Sequence, residues 1–292
     1  MKKEIIFSGV GTALITPFKD GVIDYEALKR IIECQIDGGV SAIIIGGTTA
    51  ECATLSDDER YRLFSFSREE IKDRCKLIFG TGTNDTKAAV RHTMLASRIG
   101  CDGVLSVTPY YNKGTESGIV KHYLEIAEAS TVPVLLYNVP SRTGVNLSYG
   151  VLRVLAEHEN IVGIKEAADS ADRLITLREF GDSLSLYAGN DSAIYTTLAL
   201  GGKGVISVLS NAYPKRTAQI CKSYFEGRYD ESLAAQLRAL PLIRALFAET
   251  NPAPIKYVME KLGLCTGELR LPLDTVSEST RQLLDEAMAI YQ

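Results

Sequence analysis

Histidine and tryptophan are nearly missing from this chain, with three of the former and none of the latter in 292 residues. Histidine is the commonest metal ligand and the usual activator of a nucleophile. So small a supply makes metal- or histidine-dependent chemistry a poor first expectation. The six cysteines, Cys34, Cys52, Cys75, Cys101, Cys221 and Cys265, never form a Cys-x-x-Cys pair. That points away from a zinc ribbon or redox motif and toward small core residues in a reducing compartment. No apolar run reaches the roughly 18 residues of a transmembrane helix. The N-terminal stretch after Lys2-Lys3 is interrupted by Glu4 and broken by Gly9, Gly11 and Pro17. A secretory signal is therefore not expected, and a cytoplasmic protein is. Basic residues number 32 against 36 acidic ones, a net charge of −4 without a basic block, so neither nucleic acid nor a membrane is an expected partner. There is no P-loop, His-Glu-x-x-His or Gly-x-Ser-x-Gly, and Gly80-x-Gly82 lacks the third glycine and partner acid of a dinucleotide fingerprint.

Against these absences stand fourteen tyrosines and a regular alternation of short apolar segments with helical ones. Strands are predicted over 10–16, 42–46, 77–80, 103–107, 134–137, 162–165, 185–188 and 204–207, each rich in Val, Ile or Leu as strands buried on both faces are. Asp24 can cap a helix carrying Leu28, Ile31, Ile32 and Ile36 and ended by Gly38-Gly39. Ser56 with Glu59 is a capping-box pattern for a helix through Ile71, and others are expected from about 86 to 99 and around Ile119–Ala127. Ser148, Ser170 and Asp191 can cap three more. Eight βα units favour a closed (β/α)8 TIM barrel over the runner-up, an open doubly wound sheet. Residues 1–225 are assigned to the barrel and 226–292 to a C-terminal helical extension packed on it, with Leu233, Leu237, Leu240 and Ile243 as one stripe.

In such a barrel the loops after the strands form the active face. Those positions hold Gly47-Thr48-Thr49-Ala50-Glu51, Thr108-Pro109-Tyr110-Tyr111-Asn112, Tyr137-Asn138-Val139-Pro140-Ser141-Arg142, Lys165, Gly189-Asn190-Asp191 and Ile206-Ser207. The three histidines, His92, His122 and His158, fall instead in predicted helices. Period two puts Ile161, Gly163 and Lys165 on one strand face. A lysine in a desolvated site favours its neutral amine, which attacks a carbonyl to give a Schiff base. Taken alone, Lys165 is equally a strand-end lysine reaching solvent. Tyr137 reads as a core tyrosine or as a proton donor beside such an imine. Thr48-Thr49 reads as a glycine turn or as a carboxylate nest, and Arg142 as a solvated arginine or as a carboxylate fork. Asn84 and Asp191 suit caps or turns as well as ligation. Gly201-Gly202-Lys203-Gly204 looks like a phosphate loop, but it precedes the eighth strand and so belongs to the wrong end of the barrel.

Taken together these residues resemble the Schiff-base aldolases and lyases of the dihydrodipicolinate synthase and N-acetylneuraminate lyase family, over essentially the whole chain. Gly47-Thr48-Thr49-x-Glu51, Tyr137-Asn138-Val139-Pro140 and Gly163-Ile164-Lys165-Glu166 carry the resemblance. Thr108-Pro109-Tyr110-Tyr111-Asn112, Ser141-Arg142-Thr143-Gly144 and Asn251-Pro252-x-Pro254-Ile255-Lys256 resemble its synthase branch. The resemblance implies a lyase condensing pyruvate with L-aspartate 4-semialdehyde in lysine and diaminopimelate synthesis; the alternative is another pyruvate-imine aldolase acting on a sugar acid or 2-oxo acid. It implies that Lys165 forms the imine, that Thr48 and Thr49 hold the pyruvate carboxylate, and that Tyr137, Thr48 and Tyr111 relay protons. Arg142 would bind the second substrate's carboxylate, with Gly189 and Ile206 lining the pocket. Tyr111 would cross a dimer interface of a homotetramer, and no metal or organic cofactor is implied. Ala50 and Cys52 stand where the family usually has Gly and Ser, and Ala168-Asp169 where it has Ser-Gly. An Ala50 forced to positive φ would be strained. Asp57, Arg60 and Ala88 stand at positions that lysine-inhibited members fill otherwise, although Asn84 and Tyr110 are kept, so weak or absent inhibition by L-lysine is expected.

Overall fold

A computed structural model describes residues 2–168 and 170–291. Eight parallel strands close into a barrel: β1 (Gly9–Ala13), β2 (Ala42–Ile45), β3 (Lys76–Gly80), β4 (Gly103–Val107), β5 (Val134–Asn138), β6 (Ile161–Glu166), β7 (Ser185–Ala188) and β8 (Gly204–Ser207), with β1 pairing both β2 and β8. The open sheet is thereby excluded. The first strand is shorter than expected. Leu14 N–H still reaches Ile44 O, after which the chain leaves the ladder, Ile15 N–H turning to Asn211 Oδ1, and a small hairpin (Phe18–Lys19 with Val22–Ile23) follows that periodicity did not reveal.

The helices begin where the caps predicted. Asp24 accepts from Ala27 N at the start of α1 (Tyr25–Asp37), and Ser56 and Glu59 form a full capping box on α2 (Asp57–Ile71). Next come α3 (Thr86–Ile99), α4 (Glu116–Ala129), α5 (Pro140–Thr143) and α6 (Tyr149–Leu155); Ser148 caps the last of these. Ser170 caps α7 (Ala171–Leu177), and α8 (Ile194–Ala199) follows. Asp191 caps nothing: it is buried, and its carboxylate accepts from two backbone N–H groups of the eighth βα loop. His92 and His122 lie in α3 and α4, whereas His158 lies in the turn after α6.

After β8, α9 (Pro214–Phe225) packs on β1, and α10 (Tyr229–Leu246), α11 (Ala253–Lys261) and α12 (Glu278–Tyr291) follow. On α10 the buried side runs through Ser232, Gln236, Ala239, Leu242, Ile243 and Leu246, leaving Leu233 and Leu237 exposed. The outer core joins barrel and extension, Leu186, Leu246, Ile255 and Leu284 belonging to one cluster. An inner cluster fills the barrel with Ala42, Ile44, Ile78, Leu105, Leu135 and Ile206, and Ile6 and Phe7 plug its lower end. Among the described residues no helix is long and apolar enough to cross a membrane.

The β5–β6 ladder carries an irregularity that sets the site. Val134 pairs Ile161 but Leu135 pairs Gly163, so Val162 is an extra residue on β6. Such a bulge breaks strict alternation. Ile161 therefore belongs to the outer core while Val162 joins the inner one, which corrects the expected face of Ile161, Gly163 and Lys165. Beyond the bulge the register resumes, and Tyr137 and Lys165 lie directly opposite each other.

Candidate active site

That pairing explains the centre of the site. Lys165 Nζ sits 4.2 Å from the centroid of the Tyr137 ring, and both residues are buried, at 5 % and 7 % exposure. Removal from water disfavours the ammonium. Burial, aided by the Arg142 guanidinium, pushes Lys165 down to about 7, against the opposing pull of the Asp191 carboxylate. Free amine is then present near neutral pH, where an ordinary lysine would be almost wholly ammonium. Burial drives the Tyr137 phenol the other way, upward, opposed by Arg142 and the Thr48 side chain. The phenol thus holds its proton until something takes it. Tyr187 lies in the same ladder row as Lys165, but its hydroxyl donates to Phe7 O at 2.8 Å and its ring stacks on Phe7, so it serves the barrel floor.

These groups open onto a cavity of about 480 Å³ lined by Thr48, Thr49, Tyr137, Arg142, Lys165 and Gly189, among others. Thr48 and Thr49 lie in a short 3₁₀ turn, Thr48–Ala50, which directly follows β2 and Gly46-Gly47. Asn251 Nδ2 donates to Thr49 Oγ1 at 3.0 Å, which leaves the threonine's own proton free for an acceptor in the cavity. Arg142 is exposed on α5, its guanidinium anchored by a 3.2 Å bond to Asn251 O. Gly189 tolerates no side chain: a Cβ there would lie 2.6 Å from Ala167 Cβ and 2.7 Å from Glu166 O. The wall is closed by residues 247–251 of the extension, of which only Asn251 stood out in the sequence.

Not every expected residue joins this cavity. Ile206 is fully buried in the inner cluster, and Val208, two residues on, lines the cavity instead. Tyr111 is 83 % exposed, at φ 77°, in the loop after β4. Its neighbour Tyr110 contacts Thr83 Oγ1 at 3.5 Å and lines a second cavity, of about 280 Å³, that shares Thr48, Arg142 and Asn251 with the first. Cys52 also lines that second cavity. Ala50 does not take the positive φ that would strain it; the left-handed position is Glu51, at φ 56° and ψ 40°. Ala168 N donates to Glu166 Oε1, while Asp169 lies outside the described residues.

Asp191 is the residue whose importance the sequence concealed. It looked like a cap, yet its Oδ2 accepts from Val208 N and Leu209 N at 3.0 Å each and Oδ1 is left without a partner. Burial raises its carboxyl, and its charge acts on Lys165. Among the described residues no three His, Cys, Asp or Glu side chains converge as metal ligands would.

The chain matches the dihydrodipicolinate synthetase family over residues 6–290. It is 43 % identical to a 4-hydroxy-tetrahydrodipicolinate synthase of Clostridium novyi over 287 residues, covering 98 % of this chain and 97 % of that one. Its fold is similar to that of dihydrodipicolinate synthase from Thermotoga maritima, with a TM-score of 0.95, 40 % identity and 98 % of each chain covered. A chloride-inhibited dihydrodipicolinate synthase from Acinetobacter baumannii, complexed with pyruvate, is similar at a TM-score of 0.95 and 36 % identity, covering 98 % of this chain and 99 % of that one.

Proposed function

The chain belongs to the dihydrodipicolinate synthetase family, and on that premise we propose that it condenses pyruvate with L-aspartate 4-semialdehyde to 4-hydroxy-tetrahydrodipicolinate. The observation that carries the chemistry is a buried lysine, lowered to about 7, facing Tyr137 across one ladder row in an open cavity. The neutral Lys165 amine adds to the pyruvate carbonyl, and water leaves to give an iminium. The iminium acidifies the pyruvate methyl; loss of one proton gives an enamine, whose carbon attacks the aldehyde. The amino group of the semialdehyde then attacks the regenerated iminium carbon, closing the ring and expelling the Lys165 amine. Tyr137, with Thr48, moves these protons where no histidine is at hand. Thr48 and Thr49 receive the pyruvate carboxylate, with Thr49 acting as a donor because Asn251 occupies its acceptor side. Arg142 receives the carboxylate of the semialdehyde, and Gly189 and Val208 contribute to the pocket wall.

Tyr111 completes the relay from a second copy of the chain, in a homotetramer built as a dimer of dimers. What supports this is a tyrosine that a lone chain leaves 83 % exposed in a left-handed conformation, next in sequence to Tyr110, which lines the second cavity. The reaction is cytoplasmic, in keeping with six free cysteines. L-Lysine at millimolar concentration inhibits turnover weakly or not at all, in keeping with an Asp57 that contacts His92 and an Arg60 buried against the Cys52 and Gly80 carbonyls. A steady-state titration with L-lysine checks this, and strong suppression would remove it.

The deciding experiment is borohydride reduction in the presence of pyruvate, followed by mass spectrometry. Trapped pyruvate on Lys165 is expected, and its absence would end the imine reading. A coupled assay with aspartate semialdehyde against N-acetylneuraminate then separates the synthase from another pyruvate-imine aldolase.

A further inference from the structure

Behind the carboxylate-binding turn lies a second buried lysine that the proposed chemistry does not use. Lys256, on α11, is completely buried and forms an ion pair with Glu51 Oε1, itself completely buried. Its ammonium also donates to Glu268 O at 2.7 Å and lies 4.3 Å from the centroid of the Phe18 ring. The other Glu51 oxygen, Oε2, accepts from Arg270 N at 2.9 Å. Glu51 immediately follows Thr48–Ala50 and holds a left-handed conformation that a non-glycine residue adopts only when its surroundings impose it. Its own N–H closes the turn on Thr48 O at 3.0 Å. Asn251, five residues before Lys256, holds the same turn from its other side through Thr49 Oγ1. The Asn251–Lys256 motif thus grips the turn at two points, and neither Glu51 nor Lys256 lines the cavity of Lys165.

We propose that Lys256 is a positioning residue: through Glu51 it fixes the Thr48–Ala50 turn in the geometry that receives the carboxylate of the 2-oxo acid. The proposal rests on the reading that this turn binds pyruvate beside Lys165. A buried ammonium removed from its carboxylate leaves an uncompensated charge that must find another arrangement. Glu51 would keep its Oε2 contact to Arg270 N, and Arg270 is held by Glu59. The rearrangement passes to the turn that Glu51 closes, against the hold of Thr16 Oγ1 on Ala50 O and of Asn251 on Thr49. The loss therefore falls first on binding of the first substrate, by Thr48 and Thr49, and to a lesser degree on the proton relay through Thr48, and it spares binding of the second substrate.

The test begins with the wild-type protein. Borohydride must trap pyruvate on Lys165; if it does not, the reading beneath the proposal fails and the proposal with it. Given trapping, Lys256→Met is expected to raise KM for pyruvate by about tenfold or more, to lower kcat by less than that through Thr48, and to leave KM for the semialdehyde within about threefold. Where Lys256→Met does not fold, the Glu51→Gln, Lys256→Met double variant, which buries no charge at the pair, is expected to show the same split. A folded variant with wild-type KM for pyruvate would overturn the proposal. So would a variant in which kcat and both KM values worsen together, the mark of general disruption.

Discussion

Lys165 and Lys256 share more than their residue type. Both are buried, and both hold their ammonium over an aromatic ring, at 4.2 Å from Tyr137 and 4.3 Å from Phe18. Burial pushes both down. What separates them is the carboxylate. Glu51 opposes the desolvation of Lys256 by charge and by hydrogen bond, and holds that lysine in an ion pair. Among the described residues no carboxylate contacts Lys165; Asp191 acts on it through space, and Arg142 adds repulsion. Burial alone therefore does not make a nucleophile. Burial without a contacting anion, beside an open cavity and a phenol, does.

Exchanging the two roles gives the largest expected effect. Lys165→Ala should abolish trapping of pyruvate and reduce turnover on the order of 10⁴-fold or more, since the covalent step has no substitute. Trapping seen by mass spectrometry on Lys256 in that variant would break the distinction. Tyr137→Phe keeps the ring under the ammonium and removes only the hydroxyl. Turnover should fall about 10²- to 10³-fold while the adduct on Lys165 still forms at saturating pyruvate. Arg142→Ala should raise KM for the semialdehyde by roughly tenfold to a hundredfold, the worth of a charged hydrogen bond. Because Arg142 helps lower Lys165, the same variant should move the midpoint of the pH–trapping profile upward; an unmoved midpoint would detach Arg142 from the lysine.

The sequence disclosed the barrel readily and the site unevenly, for physical reasons. Eight buried parallel strands write themselves as apolar runs, and caps such as Ser56-x-x-Glu59 are local hydrogen bonds between near neighbours. Lys165 and Tyr137 ended adjacent strands, so register alone could join them. The extra Val162 was illegible because a bulge depends on the partner strand. Asp191 was misread because a carboxylate that accepts from Val208 and Leu209, seventeen and eighteen residues on, looks locally like any cap. The Glu51–Lys256 pair spans two hundred residues of chain and left only motif-like fragments at each end. Residues 247–250 closed the cavity without any pattern that chemistry would announce.

The smallest effect, and the finest test of the two lysines, is in their protons. Trapping at pyruvate concentrations well below KM requires the free amine. Its rate should fall about tenfold per pH unit below about 7 and level off above it, because Lys165 titrates there. Stability follows with a definite sign. In the unfolded chain Lys165 holds its proton up to its ordinary value of 10.5, whereas in the folded chain it releases it at about 7. Between those values the unfolded state binds the extra proton, so this group makes the fold more stable as pH rises through that window, and costs most below it. The slope is at most about 1.4 kcal/mol per pH unit. Lys165→Met should remove that slope from denaturant midpoints measured at about pH 6.5 and 8.5, and Lys256→Met should leave it in place, because the slope belongs to Lys165. Equal slopes in wild type and Lys165→Met would mean that Lys165 is not the group that releases its proton in that window.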